Sequence, residues 1–280
     1  MAKLKKISKR KKMFLIVWLT LIVLLLALIF LVGFPANQKE ESIKEMMKDA
    51  VLHEHNKVSF FGLEVNPAVV SGYMVTAVLL IAALLVRIFA IPKFSRVPSK
   101  FQSVIEKAVE IFSDMGKNNS PHKPKFVSAY IFSAGIYIFF STIFELFGIQ
   151  VTTTKGMIMA LPAPLADVNA AIAMGFTSFG VILGAGIITN GFKGALKVLK
   201  DFSLPISMSF RLFGALLSGL LVTELVYYFV SLSFVLPVLV GILFTLLHAL
   251  IQAYVLTTLV SIFYGEAVEP NKPKKVKKVN

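Results

Sequence analysis

The chain of 280 residues contains no cysteine and few acidic residues. Without cysteine it can form no disulfide, no thiolate metal site and no cysteine nucleophile. Only 16% of the residues are charged, whereas 56% are hydrophobic, and the mean hydropathy is +0.79. A soluble protein could not bury so much apolar surface beneath a polar exterior. The composition therefore excludes an ordinary soluble enzyme, a disordered chain and a disulfide-stabilised scaffold.

The hydrophobic residues lie in six runs, each long enough to cross a hydrocarbon core of about 30 Å. The runs are Met13–Phe34, Asn66–Ile91, Phe126–Gly148, Val168–Asn190, Ser203–Val230 and Phe234–Tyr264. We therefore predict an all-α membrane protein with about six transmembrane helices. The last two runs exceed the membrane thickness and are separated only by Ser231–Ser233, so they predict a long, strongly tilted hairpin.

The basic residues are distributed unevenly between the runs. Alternate connecting segments, counted with both tails, hold 22 of the 29 Lys and Arg residues, and the remaining connections hold 5. Because cytoplasmic loops carry the excess of Lys and Arg, both termini are predicted to be cytoplasmic. A signal peptide is the alternative for residues 1–34, but Gly33–Ala36 is a poor cleavage site, so a retained first span in the cell inner (plasma) membrane is favoured.

One connecting segment carries an apolar stripe of its own. Phe101, Val104, Ala108 and Phe112 recur at helical spacing, with charged residues on the opposite face. This pattern predicts an amphipathic helix lying along the cytoplasmic interface.

An arginine lies well inside the fifth run. Arg211 is about 12 Å from its start at 1.5 Å per residue. Intramembrane charges are costly and face a protein interior or a watery cavity. Small residues share its face, namely Gly214, Ala215, Ser218 and Gly219. Such a stripe allows another helix to approach closely, which favours a charge presented to a partner over a structural arginine that snorkels or pairs within the bundle.

The sixth run supplies Thr245, His248 and Gln252 near the helical period. Antiparallel pairing about the expected turn places Gln252 opposite Arg211 and His248 near Ala215. A lone glutamine in a membrane is more often a hydrogen-bonding group between helices, an interpretation that the nearby arginine weakens. Three acids, Glu145, Asp167 and Glu224, lie at external ends of their spans and suggest a hydrated external entrance, with simple interfacial placement as the alternative.

Four stretches resemble, in order, subunit a of the membrane sector of bacterial-type rotary ATP synthases. Val97–Gln102 resembles its second cytoplasmic segment, Ala166–Asn169 the start of its fourth span, Pro205–Gly214 its fifth-helix signature and Ile251–Thr257 its last-helix signature. The resemblance covers roughly residues 55–266. It divides the chain into a basic tail and first span (1–34), an external segment (35–65), a membrane domain (66–266) and a basic cytoplasmic tail (267–280).

The resemblance implies an ion-translocating stator channel for protons or sodium ions. Arg211 would face the carboxylates of a ring of c subunits, with Gln252 as its companion, between two half-channels. It also implies peripheral-stalk b subunits and the rest of the ATP synthase as partners, with membrane lipid, no nucleic acid and no cofactor or metal. The candidate ion-path residues are His248, Glu224, Asp167, Asn169, Thr245 and Glu145.

The chain departs from the family pattern at Ala215, Leu220 and Thr245, where relatives often carry polar or titratable residues. Two other functions remain open from the residues alone. A self-contained secondary transporter would favour internal repeats, and no repeat between the halves is visible. An intramembrane enzyme would need a nucleophile or metal set, for which only His248 is available. No phosphate-binding loop is present, so we expect no catalytic site in this chain itself.

Overall fold

The computed structural model describes residues 57–60, 62–154, 156, 158–228 and 241–270, together with Met13, Val17 and Thr20. Several predicted features lie outside these residues. They are most of the first span, the external segment as far as residue 56, the turn at 231–233 and the basic tail from residue 271.

The all-α prediction is confirmed, because six helices dominate the described residues. They are α1 (Pro67–Leu85), α2 (Lys100–Asn119), α3 (Pro124–Ile143), α4 (Val168–Leu199), α5 (Ser203–Tyr228) and α6 (Leu246–Val268). Within the described part, four segments are long and apolar enough to cross a membrane. They are Pro67–Lys93, Pro124–Phe147, Val168–Leu199 and Gly241–Val268.

The core of the bundle lies between α3, α4 and α6. Helix α6 packs extensively on both α3 and α4, and α5 packs mainly on α4. The buried contacts are apolar, as shown by the fully buried Val127 and Ile138 of α3, Ile182 of α4 and Val260 of α6. Helix α4 therefore provides the main contact between the bundle and the helix that carries Arg211.

Helix α2 is amphipathic, as its apolar stripe predicts. The hydroxyl of Ser99 accepts a hydrogen bond from the backbone N–H of Gln102 at 3.3 Å and caps the first turn. At the other end, Gly116 lies directly against Ser128 of α3, so a larger residue at 116 would clash. Much of the apolar stripe is exposed, including Phe101 and Val104.

The fourth predicted span continues beyond its expected end at Asn190. Helix α4 extends to Leu199, interrupted at Gly191, whose φ of 58° and ψ of −143° are not helical. Such a conformation favours glycine, because a side chain there would be strained. The chain then folds back on itself, and the backbone of Gly194 lies against the backbone of Gly186. The segment predicted as a basic loop is therefore the second arm of a short helical hairpin.

Two small β-hairpins cover the end of the bundle opposite to the chain reversal at Gly191. Strand β1 (Val58–Phe60) pairs with β2 (Leu63–Val65), and β3 (Gln150–Thr152) pairs with β4 (Ile158–Ala160), both antiparallel. The two hairpins are joined by a hydrogen bond of 2.9 Å from the N–H of Thr154 to the carbonyl of Lys57. Three-residue strands were not predicted, because they are too short to show an alternating pattern.

Candidate functional site

Helix α5 presents two different faces. One face is buried against α4, through Leu204, Met208, Leu212 and Leu216. The other face is exposed and carries Ser207, Arg211, Gly214 and Ser218. A Cβ atom added at Gly214 would have no other heavy atom within 4 Å. Arg211 therefore lies on an exposed surface with the small residues Ser207, Gly214 and Ser218, flanked by the exposed side chains of Ile206 and Phe210.

The orientation of α5 is determined by its close approach to α4. A Cβ atom added at Gly175 of α4 would lie 2.8 Å from the carbonyl oxygen of Pro205 and would clash with the hydroxyl of Ser209. That hydroxyl is buried and donates to the same Pro205 carbonyl at 2.7 Å. Since this contact holds the buried face against α4, Arg211 is turned away from it.

Gln252 has different surroundings from Arg211. Its side chain is only 6% exposed and lies among the buried residues of α6, which include Ala249, Ala253 and Leu256. Within the described residues, no hydrogen bond joins Gln252 to Arg211. The structure therefore places the predicted companion in the bundle and the arginine on its exposed surface.

His248 lies where α5 and α6 meet. Its Nδ1 atom is 3.6 Å from the Cβ position of Gly219, and its ring centroid is 5.8 Å from that of Phe244. The antiparallel register predicted from the sequence places the histidine beside Ala215. In the structure its neighbour is Gly219, one turn further along α5. That register assumes two ideal helices, whereas Gly241–Thr245 forms a π-helical turn just before α6. Thr245 is the last residue of this turn.

Asp167 begins α4 and binds three donors. One carboxylate oxygen accepts the backbone N–H groups of Asn169 and Ala170, at 2.8 and 3.1 Å. The other accepts the side-chain amide of Asn66 at 2.7 Å. Asp167 is thus an N-cap, and it also ties the start of α4 to the start of α1. The side chain of Asn169 is exposed beside it.

The other two predicted acids belong to other elements of the fold. Glu145 is partly buried in the 3₁₀ turn Phe144–Phe147 that follows α3. Glu224 belongs to the last turns of α5, and its side chain is not among those that the structure describes.

Several polar contacts in the structure were not predicted from the sequence. Asn190 donates to the carbonyls of Ala267 and Glu269, both at 3.0 Å, and Lys197 donates to that of Glu266 at 2.6 Å. These bonds satisfy carbonyls at the end of α6 that have no partner within the helix. They depend on the chain reversal at Gly191, so no local pattern reveals them. Asn66 did carry a signal, because Asn followed by Pro is typical of a helix start.

The model of the family described as ATP synthase A chain matches residues 71–265. The chain belongs to the ATP synthase A chain family. No curated protein sequence matches it at a significant level. As a member of this family, it is a membrane protein and a component of the ATP synthase complex that takes part in ion translocation. Its place in that complex sets it apart from a self-contained transporter.

Proposed function

We propose that this ATP synthase A chain is the stator channel of the complex, with Arg211 facing the ion-binding carboxylates of a ring of c subunits. The observation that carries the proposal is the exposed position of Arg211 on the small-residue face of α5. Within the described residues, the guanidinium has no salt-bridge partner, which is unlike a structural arginine paired inside the bundle. A charge at this depth needs a partner of opposite sign, and a ring carboxylate provides one.

The proposed mechanism is electrostatic. An opposite charge within about 4–6 Å favours the ionised form of a carboxylate. Arg211 therefore makes each approaching ring carboxylate release its ion, the ring steps, and the carboxylate is reloaded from the other half-channel. The membrane potential supplies about 2.3 kcal/mol per charge per 100 mV. The transported ion is a proton or a sodium ion.

We also propose that the external half-channel passes close to His248. This side chain is partly buried at the α5–α6 contact and approaches Gly219 on the helix that carries Arg211. Glu224, Thr245, Asn169 and Glu145 remain candidates along the same path. Asp167 is a weaker one, because its carboxylate already accepts three hydrogen bonds. We place the subunit beside peripheral-stalk b subunits in a bacterial inner membrane, with both termini cytoplasmic.

Cysteine cross-linking tests the proposed ring-facing surface directly, because the chain contains no native cysteine. We expect Ser207→Cys and Ser218→Cys to form cross-links with cysteines placed beside the ring carboxylate. Ser209→Cys is the matched control, since Ser209 lies on the same helix but is buried against α4. Equal cross-linking at all three positions, or cross-linking only at Ser209, would contradict the proposed orientation of α5.

Thiol labelling tests the external path. We expect His248→Cys in the assembled complex to react with a small charged thiol reagent added from outside, because a hydrated path would deliver the reagent there. Ala249→Cys is the matched control, because the neighbouring Ala249 is fully buried. The path is wrong if both variants resist the reagent while an external loop cysteine is fully labelled.

A further inference from the structure

One end of the bundle brings basic and apolar side chains together. The amine of Lys123, just before α3, donates to the hydroxyl of Thr189 at 3.0 Å. This bond joins the start of α3 to the end of the first arm of α4. The reversal at Gly191 follows two residues later, so Lys193 lies on the adjoining turn. We call the surface formed by Lys123, Lys125, Phe126, Ile188, Phe192 and Lys193 the basic edge.

The lysines of the basic edge have no acidic partner among the described residues. The salt bridges found in the described part of the chain involve other lysines, namely Lys107 with Glu110, Lys117 with Asp114, and Lys197 with Glu269. Lys125 and Lys193 are both exposed, and Lys123 is held by the neutral hydroxyl of Thr189. Cations that form no salt bridge within the chain attract an anion from outside it.

The apolar members of the basic edge are also unusually exposed. Ile188 is 80% exposed and Phe192 is 79% exposed, although α4 is one of the helices long and apolar enough to cross a membrane. Phe126 is exposed too, and its ring stacks on that of Tyr264. In a membrane protein, such side chains at the end of a spanning helix contact lipid near the headgroups.

We infer that the basic edge binds the headgroups of anionic phospholipids, with Lys125 and Lys193 contacting the phosphate and Phe192 and Ile188 the upper acyl chain. The two kinds of side chain match the two chemical parts of one lipid molecule. Basic surfaces between membrane-spanning helices bind anionic headgroups in this way. A soluble anion would use the lysines and leave the apolar residues without a partner.

Photolabelling of the complete ATP synthase tests this inference. The complex is placed in phosphatidylcholine vesicles that contain a minor fraction of photoactivatable phosphatidylglycerol, and labelled peptides are quantified by mass spectrometry. We expect labelling of the peptides that contain Phe126 and Phe192. In Lys125→Gln/Lys193→Gln, the phosphatidylglycerol content needed for half-maximal labelling should rise about 30-fold, from the loss of two basic residues near an anionic surface.

The chain offers a matched control in Lys107→Gln/Lys117→Gln. These lysines lie on the nearby α2 and are exposed, but each has its own carboxylate partner. The hydrogen bond that Lys107 donates to the Glu110 carboxylate also raises the pKa of Lys107. The control pair is therefore expected to leave labelling of the Phe126 and Phe192 peptides unchanged.

Four results would overturn the inference. Equal loss of labelling in both double variants would show general charge attraction. Equal labelling by photoactivatable phosphatidylcholine, or full competition by inorganic phosphate, would show that no anionic lipid is selected. Cross-linking of Lys193→Cys to another subunit, with no lipid label at Phe192, would show that a protein covers this surface.

Discussion

We expect Arg211→Ala to abolish ATP synthesis in membranes in which the complex remains assembled. Arg211 is exposed on α5, so removing its side chain leaves no cavity in the bundle. The ring carboxylate would lose the charge that favours its ionised form, and ions could pass directly between the half-channels. The loss should be about 100-fold or more, the scale found when one preorganised charge-stabilising group is removed. Ion-driven ATP synthesis and the content of assembled complex are measured in the same membranes.

Two comparisons make this prediction specific. Arg211→Lys keeps a positive charge but loses the broad guanidinium, so we expect it to fail largely as well. A structural arginine would behave differently, with Arg211→Ala causing loss of the subunit from the membrane. Normal ATP synthesis in Arg211→Ala would disprove the mechanism.

The second large effect is expected from Gly175→Val, at the closest contact between α4 and α5. A Cβ atom there would lie 2.8 Å from the carbonyl oxygen of Pro205, so α5 must move away to admit the larger side chain. Overpacking of this kind costs about 1–3 kcal/mol. It also displaces the helix that presents Arg211, which lies less than two turns beyond Pro205. We expect a large drop in ATP synthesis, together with a lower thermal stability of the assembled complex.

Gly180→Val on the same helix is the matched control. A Cβ atom at Gly180 would meet no other heavy atom within 4 Å, so the same substitution has room there. Both variants add the same side chain to the same helix and differ only in what it meets. If they reduce synthesis and stability equally, the α4–α5 contact does not have the positioning role described above.

The sequence predicts the helices well because membrane spans leave a strong local signal. A run of about 20 apolar residues has few alternatives to a spanning helix. Local signals also mark some boundaries, such as Asp167 before α4 and Ser99 before α2, where short polar side chains cap the first turn. The small residues on the face of Arg211 can be recognised for a related reason, since they recur at helical spacing.

The features that the sequence did not predict depend on contacts between distant or irregular parts of the chain. The reversal at Gly191 is stabilised by the approach of Gly186 and Gly194, and glycines in an apolar run give no sign of such a partner. His248 lies beside Gly219 and not beside Ala215, and a register built from two ideal helices takes no account of the π-helical turn Gly241–Thr245. Likewise, hydropathy alone could not show that Gln252 is buried, because burial depends on which helices pack around it.

The link between Asn66 and Asp167 has a consequence for the biogenesis of the subunit. This hydrogen bond spans 101 residues, and the bond from Thr154 to Lys57 joins the two β-hairpins across 97 residues. Since a chain is synthesised from its N-terminus, the β1–β2 hairpin is made well before the β3–β4 hairpin. Helices α1, α2 and α3 are synthesised between the two. The contacts at this end of the bundle are therefore complete only once Asp167, at the start of α4, has been made. A nascent chain that stops at the end of α3 has its early helices but lacks the contacts through which α1 is tied to the start of α4 and the two β-hairpins are joined.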